Sequence, residues 1–360
     1  MMRTHRRFLH SAAPIALAMV LFGLDSVHAE PLVYIPLGEE NQILAIDAAT
    51  DAEVDRISGT EAVHGLAGTP DGRLLIAGSL SARSAGEAPA KPVGVSEEDH
   101  EAHHGMSEKT SAKPSDELVS TVSIIDRKSG EILRKVDVPG AVHHVTVSPD
   151  GRFAVVTLIN ADAVSVIGLE DFELITTVKT AATPNYAIFS KDGEALFVGN
   201  AGAGTVSRIA VDGWTAGPTV ATGANPGHLV MAADESALYV TNDGDGTVSE
   251  IDPETMTVRR SFEMGGMLHG LDLSEDGKTL FAAVRETGRI GRVDLDSGEV
   301  SFAELAPAPY HLRTIPGTGK IYVSSAEEPK VWVLDVNDLS TISEVKVEGT
   351  AHQMVIVPSS

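Results

Sequence analysis

From Val33 to Val357 one phrase returns seven times. It runs through an alternating apolar strand, a Gly/Asn/Asp turn, a strand ending in an Ile-Asp-like pair, an acidic turn, another strand, and a short apolar run closed by a further turn. The copies span residues 33–73, 74–152, 153–194, 195–236, 237–278, 279–320 and 321–357, the second lengthened by an insert. A period near ~40 to 45 residues with four strands per copy is that of a propeller blade. So regular a repeat over nearly the whole chain overrules the two domains that length alone would suggest.

The fold class expected is therefore all-β, a seven-bladed β-propeller. Its first copy opens on an outer-strand phrase and its last stops just after the inner-strand phrase 352–357. The N- and C-terminal strands should thus pair in one blade beside residues 32–37, which removes the open edges of a fan of sheets. Asp71-Gly72, Asp150-Gly151, Asp192-Gly193 and Asp276-Gly277 supply the positive backbone dihedrals of tight hairpins at the ends of the inner strands. No helical periodicity competes with this pattern in the mature chain.

Tyr239-Val240-Thr241-Asn242 resembles the signature of the YVTN family of β-propeller repeat proteins, and the mature chain outside the insert follows that repeat. The resemblance implies the fold. Propellers of this kind serve as enzymes, redox proteins and binding scaffolds, so activity has to be argued from a site.

The N-terminus carries Arg3, Arg6 and Arg7, an apolar stretch over residues 12–24, and Val27-His28-Ala29 before Glu30. These are the three regions of a secretory signal, so residues 1–29 are expected to be removed and residues 30–360 to form the propeller, in the periplasm or secreted. The apolar run is shorter than the roughly 20 residues that span a bilayer. Arg6-Arg7-Phe8-Leu9 leaves both the general and the twin-arginine export routes open. With no cysteine the chain has no disulfide, no thiolate ligand and no covalent c-type haem. Losing Arg3, Arg6, Arg7 and Asp25 takes a net +2 from the full-length charge of −24 and leaves −26. Such a surface disfavours nucleic acid and anionic lipid and concentrates cations. A monomer without membrane attachment after signal removal is expected.

Six of the seven repeats place histidine just before the inner apolar run. The segments are Val63-His64-Gly65, Val142-His143-His144, Pro184-Asn185-Tyr186, Pro226-Gly227-His228, Leu268-His269-Gly270, Pro309-Tyr310-His311 and Ala351-His352-Gln353. In a closed propeller they meet at one mouth of the central channel, and converging imidazoles suit zinc or copper. Strand alternation should send the two sub-columns in different directions. The first, with His64, His143, His269 and His352, is the expected ligand set. His144, His228 and His311 are then supporting or alternate ligands. The competing reading makes each imidazole a structural residue, inherited by duplication and bonded to a neighbouring loop.

The insert, residues 81–118 in the second blade, is rich in Ala, Pro, Ser, Glu and Lys and reads as a mobile loop. At its centre His100, His103 and His104 stand among Glu97, Glu98, Asp99, Glu101 and Met106, the composition of a short metal-binding tract. Three of the mature chain's ten histidines fall within five residues, which favours metal capture over chance. The loop joins the second and third strands of its blade and so should emerge on the histidine face, where tethering would deliver an ion at high effective concentration.

This layout is similar to the periplasmic zinc metallochaperones that pass metal to the solute-binding protein of an ABC uptake system. The resemblance implies a metal ion as cargo and a metal-receiving periplasmic partner, with binding expected ahead of catalysis. Here the histidine tract lies inside a blade and not near the mature N-terminus, so ligands cannot be transferred one to one. Asn242-Asp243-Gly244-Asp245-Gly246 resembles a fragment of a calcium loop but lacks the trailing ligands, and reads as a turn. Three alternatives stay open: a lactonase-like hydrolase with an axial ion, a redox or d1-haem-associated propeller, and an interaction scaffold.

Overall fold

The computed structural model describes residues 31–85 and 118–357. They form seven antiparallel sheets, six of four strands and one, in the second blade, carrying the additional two-residue strand Arg83–Ser84. From blade 1 to blade 7 each inner strand contacts the next. These strands are Val355–Val357 in blade 1, then Val63–Gly68, Val142–Val147, Pro184–Phe189, Pro226–Met231, Leu268–Leu273 and Pro309–Ile315 in blades 2 to 7. Among the described residues no helix is long and apolar enough to cross a membrane. The signal-like residues 1–29 and the tract holding His100, His103 and His104 lie outside the described residues.

Burial follows strand rank. Second and third strands such as Leu74–Ser79 and Ala163–Gly168 are buried throughout, because each sheet is covered by blades on both faces. Outer strands are exposed, as in Thr215–Ala221. Each of the four signature residues has its own task. Tyr239 and Val240 pack in the core. Thr241 Oγ1 accepts the backbone N–H of His228 at 2.9 Å. Asn242 Nδ2 donates to Thr247 Oγ1 at 3.0 Å and Ser249 Oγ at 2.9 Å, locking the second strand of the blade to the third.

The ring closes as expected. Leu32, Val33 and Tyr34 pair with Val357, Ile356 and Val355, and Leu37 bridges Ala351. A polar latch, which sequence reasoning did not foresee, adds to this seam. Asp51 Oδ1 accepts from Lys320 Nζ at 2.7 Å and Tyr322 Oη at 2.6 Å, and Oδ2 accepts from Ser343 Oγ at 3.0 Å, joining blade 1 to blade 7. Burial and the bond to Asp51 push the Tyr322 phenol well above its usual range. Asp51→Ala removes the carboxylate paired with the Lys320 ammonium, whose side chain is only 14% exposed and keeps only backbone carbonyls, the nearest that of Ala48 at 2.8 Å, and orphans a fully buried hydroxyl. A loss of about 3 kcal/mol in chemical denaturation is expected; a loss below about 0.5 kcal/mol, the level of an ordinary surface substitution, would contradict the latch.

Candidate metal centre

The histidine segments sit where every inner strand from blade 2 to blade 7 breaks its register. Pro226 pairs with Asn242 and Leu229 with Val240, so Gly227 and His228 face the single residue Thr241. In the same way Leu268 to Leu271 spans only Val284 to Ala282, and Pro309 to Leu312 only Ser325 to Val323. Blades 2, 3 and 4 show their shifts at Val63/Gly65, opposite Val156/Leu158, and at Pro184/Tyr186. These are β-bulges, which re-aim side chains at the rim of a sheet. In blades 3, 5 and 7 a hydroxyl of the second strand receives the bulge N–H: Thr157 for His144, Thr241 for His228 and Ser324 for His311, at 2.9 to 3.1 Å.

The bulges overturn one expectation. Strict alternation, which would separate the two histidine sub-columns, does not hold where two residues oppose one. The structure instead brings together His228 and His311 from the second sub-column with His269 from the first. Their ring centroids form a near-equilateral triangle: 4.7 Å for His228–His269, 5.0 Å for His228–His311 and 4.6 Å for His269–His311. One ring nitrogen from each lies within 4.8 Å of the others. His64, His143 and His352 form a neighbouring stack, with His64 centroids 4.5 Å from His143 and 4.2 Å from His352. His64 and His143 bond through Nδ1 to the carbonyls of His143 and Asn185 at 2.8 and 3.0 Å, which is the loop-bonding role of the competing reading. His144 stacks on Tyr186 at 3.4 Å.

The triad suits a cation on chemical grounds. The Nε2 atoms of His228, His269 and His311 are all buried without a hydrogen-bond partner, an arrangement that costs free energy unless something accepts those lone pairs or donates to them. Burial, and then the charge of neighbouring imidazoles, holds His228 down to about 3 and pushes His269 and His311 well below the ordinary value. All three are therefore neutral at pH 7, the form that ligates metal. A tetrahedral zinc ion holds nitrogens at about 2.0–2.1 Å, which sets them roughly 3.3 Å apart; the observed spacing needs a modest inward rotation of the rings.

Asp243 was passed over in the sequence as part of a plain turn. Its side chain is buried, Oδ1 has no partner, and burial raises its carboxyl to about 7, opposed by a bond from Thr241. A Cβ at Gly227 would meet Asp243 Oδ1 at 2.9 Å and Thr241 Oγ1 at 2.9 Å. Blade 5 thus has glycine at this rung because a carboxyl occupies the space that a side chain, histidine in blades 1, 2, 3 and 6, fills in the others. The one available hint was that the only glycine in the first sub-column stands in the repeat whose turn reads Asn-Asp.

The insert's roots adjoin the same mouth. Leu80 N donates to Ala62 O at 3.0 Å, beside His64, and Gly140 N donates to Leu118 O at 2.7 Å, just before His143. Arg83 and Ser84 pair with Val119 and Leu118.

The family model for YNCE-like beta-propellers matches residues 175–335, from the outer strand of blade 3 to the third strand of blade 7. No curated protein matches the sequence. Among solved structures, the chain is similar to Kuenenia stuttgartiensis hydrazine synthase, at 16% identity and TM-score 0.66, covering 83% of this chain and 96% of that one. It is also similar to the Pseudomonas aeruginosa periplasmic gluconolactonase PpgL, at 19% identity and TM-score 0.67, covering 91% and 99%. A third likeness is to the dihydro-haem d1 dehydrogenase NirN, at 12% identity and TM-score 0.64, covering 88% of this chain and 63% of that one. At these identities the likeness establishes the propeller fold.

Proposed function

We propose that the protein binds a late first-row divalent ion, zinc or copper, on His228, His269 and His311 and passes it to a metal-receiving partner. The observation that carries this is the meeting of three neutral imidazoles from three separate blades, one nitrogen of each within 4.8 Å of the others and each with a buried, unpartnered Nε2. A dication among neutral ligands also needs negative charge nearby. Asp243 supplies it by ionising when the ion arrives, its carboxyl already poised at about 7. His64, His143 and His352 extend the imidazole surface toward the closing blade and give an incoming ion somewhere to pause.

His100, His103 and His104 act as the capturing arm, tethered at Leu80 and Leu118 beside the mouth, so that exchange with the triad is intramolecular. In this proposal residues 1–29 direct export, and the recipient is a periplasmic solute-binding protein. A haem-associated redox role or a lactonase-like hydrolysis would use the same channel. A visible spectrum and a lactone assay on the purified protein separate them from metal transfer.

Mature protein dialysed with zinc is expected to keep one triad-bound ion per chain through gel filtration, measured by elemental analysis. Deleting residues 100–104 should leave that ion in place and slow transfer to a chromophoric chelator several-fold. Protein that emerges metal-free would refute metal binding; an unaltered transfer rate would refute the capturing arm.

A further inference from the structure

Below the histidine layer the channel widens into a cavity of about 670 Å³ open toward the opposite face, where the inner strands end. Its walls mix polar groups with an aliphatic patch that includes Val147, Ile188, Leu229, Met231, Leu273 and Ile356. Into this cavity projects Arg313. The guanidinium is surrounded by protein, yet its side chain keeps 41% of its accessible surface, as a group facing an open cavity does.

The arginine is paired with Asp272 by charge, but that pairing leaves its hydrogen-bond donors unfilled. Its Nε–H is buried without an acceptor. The nearest anion, Asp272 Oδ1, lies 3.7 Å from Nη1, beyond hydrogen-bonding range. Asp272 is committed elsewhere: Oδ1 accepts from Leu273 N at 2.9 Å, and Oδ2 accepts from Thr314 N and Thr314 Oγ1, each at 2.9 Å. Lys191, the other cation of the wall, donates its Nζ to the Ala233 carbonyl. His144 lies at the inner end of the same cavity with Nε2 buried and unpartnered. A planar fork with an unfilled Nε–H and its nearest paired carboxylate at 3.7 Å, set above a wall that mixes aliphatic and polar groups, is an arrangement that recognises a carboxylate.

We infer that this cavity is a binding site for a small organic carboxylate, its carboxyl group on Arg313, its body against the aliphatic wall, and a hydroxyl or carbonyl group facing His144. It uses none of the triad, although it borders the histidine layer and the Arg313 charge reaches His228.

The test is ligand-detected NMR and calorimetry on the mature protein with acetate, succinate, citrate, benzoate and hexanoate as probes, and with hexanamide as the uncharged control. At least one carboxylate should bind, and hexanamide should not compete with it. Arg313→Gln should weaken that binding at least about 10-fold, with Arg313→Lys in between because it keeps charge but loses the fork. Thermal melting confirms that both variants are folded. No binding by any probe, or equal binding by wild type and Arg313→Gln, would overturn the inference. Zinc content of the same samples is a separate readout, so failure here is distinguishable from failure of the metal proposal.

Discussion

His269→Ala is expected to lower zinc affinity by more than about 100-fold while leaving the fold intact. Changing even an outer partner of a metal ligand typically costs 10–100-fold, and this change removes a ligand itself. His269 is the informative choice because it is the member of the triad that comes from the first sub-column, so it separates the observed cluster from either sub-column alone. The apo variant should melt close to wild type, since the lost ring carries a buried nitrogen without a partner. His352→Ala, in the neighbouring stack, is expected to change affinity less than about 10-fold, the low end of outer-partner effects. Competition titration against a chelator of known affinity reads both. A value for His269→Ala within threefold of wild type would remove the triad from consideration.

The apo protein is expected to lose stability steeply as pH falls below about 6.5. Burial, followed by repulsion from neighbouring imidazoles, holds His143, His228 and His352 each at about 3, whereas an unfolded histidine titrates near 6.5. Between those values the unfolded chain binds the extra protons, so acid favours unfolding, by about 1.4 kcal/mol per pH unit for each histidine. Three such groups contribute on the order of 4 kcal/mol per unit. Asp243 acts in the opposite sense. Held at about 7, it keeps its proton when folded and releases it when unfolded down to about 3.9, which returns about 1.4 kcal/mol per unit. The balance is roughly 3 kcal/mol per unit from about pH 6.5 to 4, before His144, His269 and His311, all lowered too, are added.

A typical domain has about 5–15 kcal/mol in total, so the histidine mouth should open or the chain unfold within this window. Bound zinc favours the neutral imidazoles and should move the transition to lower pH. Thermal melts should show the apo protein falling by at least about 5 °C between pH 7.5 and 5.5. A flat melting temperature over that span would mean that the imidazoles are solvated and not buried.

The propeller was legible because its cues are local and repeat. The period gave the number of blades, the Asp-Gly turns marked the ends of inner strands, and the phrase 352–357 marked the closing strand. The site was only half legible. The histidine column stood out, but which members share a centre depends on bulges, and a bulge is a property of two paired strands. A trace of it was present. Val142 and Val145, Leu268 and Leu271, and Pro226 and Leu229 are spaced by three, which a period-two strand cannot bury on one face without an extra residue. The roles of Asp243, beyond the hint of Gly227, and of Arg313 were out of reach for a different reason. Their chemistry comes from unpartnered atoms in the channel, and hydrogen-bond satisfaction appears only once the blades have closed.

Metal transfer by this propeller requires one ion held by imidazoles from blades 5, 6 and 7. Anomalous diffraction at the zinc edge, from crystals of the protein grown with one equivalent of zinc, measures this directly. The expected map has its strongest peak bonded to nitrogens of His228, His269 and His311 at about 2.0–2.1 Å. A strongest peak bound elsewhere, with these three rings still turned from a common centre, would contradict it.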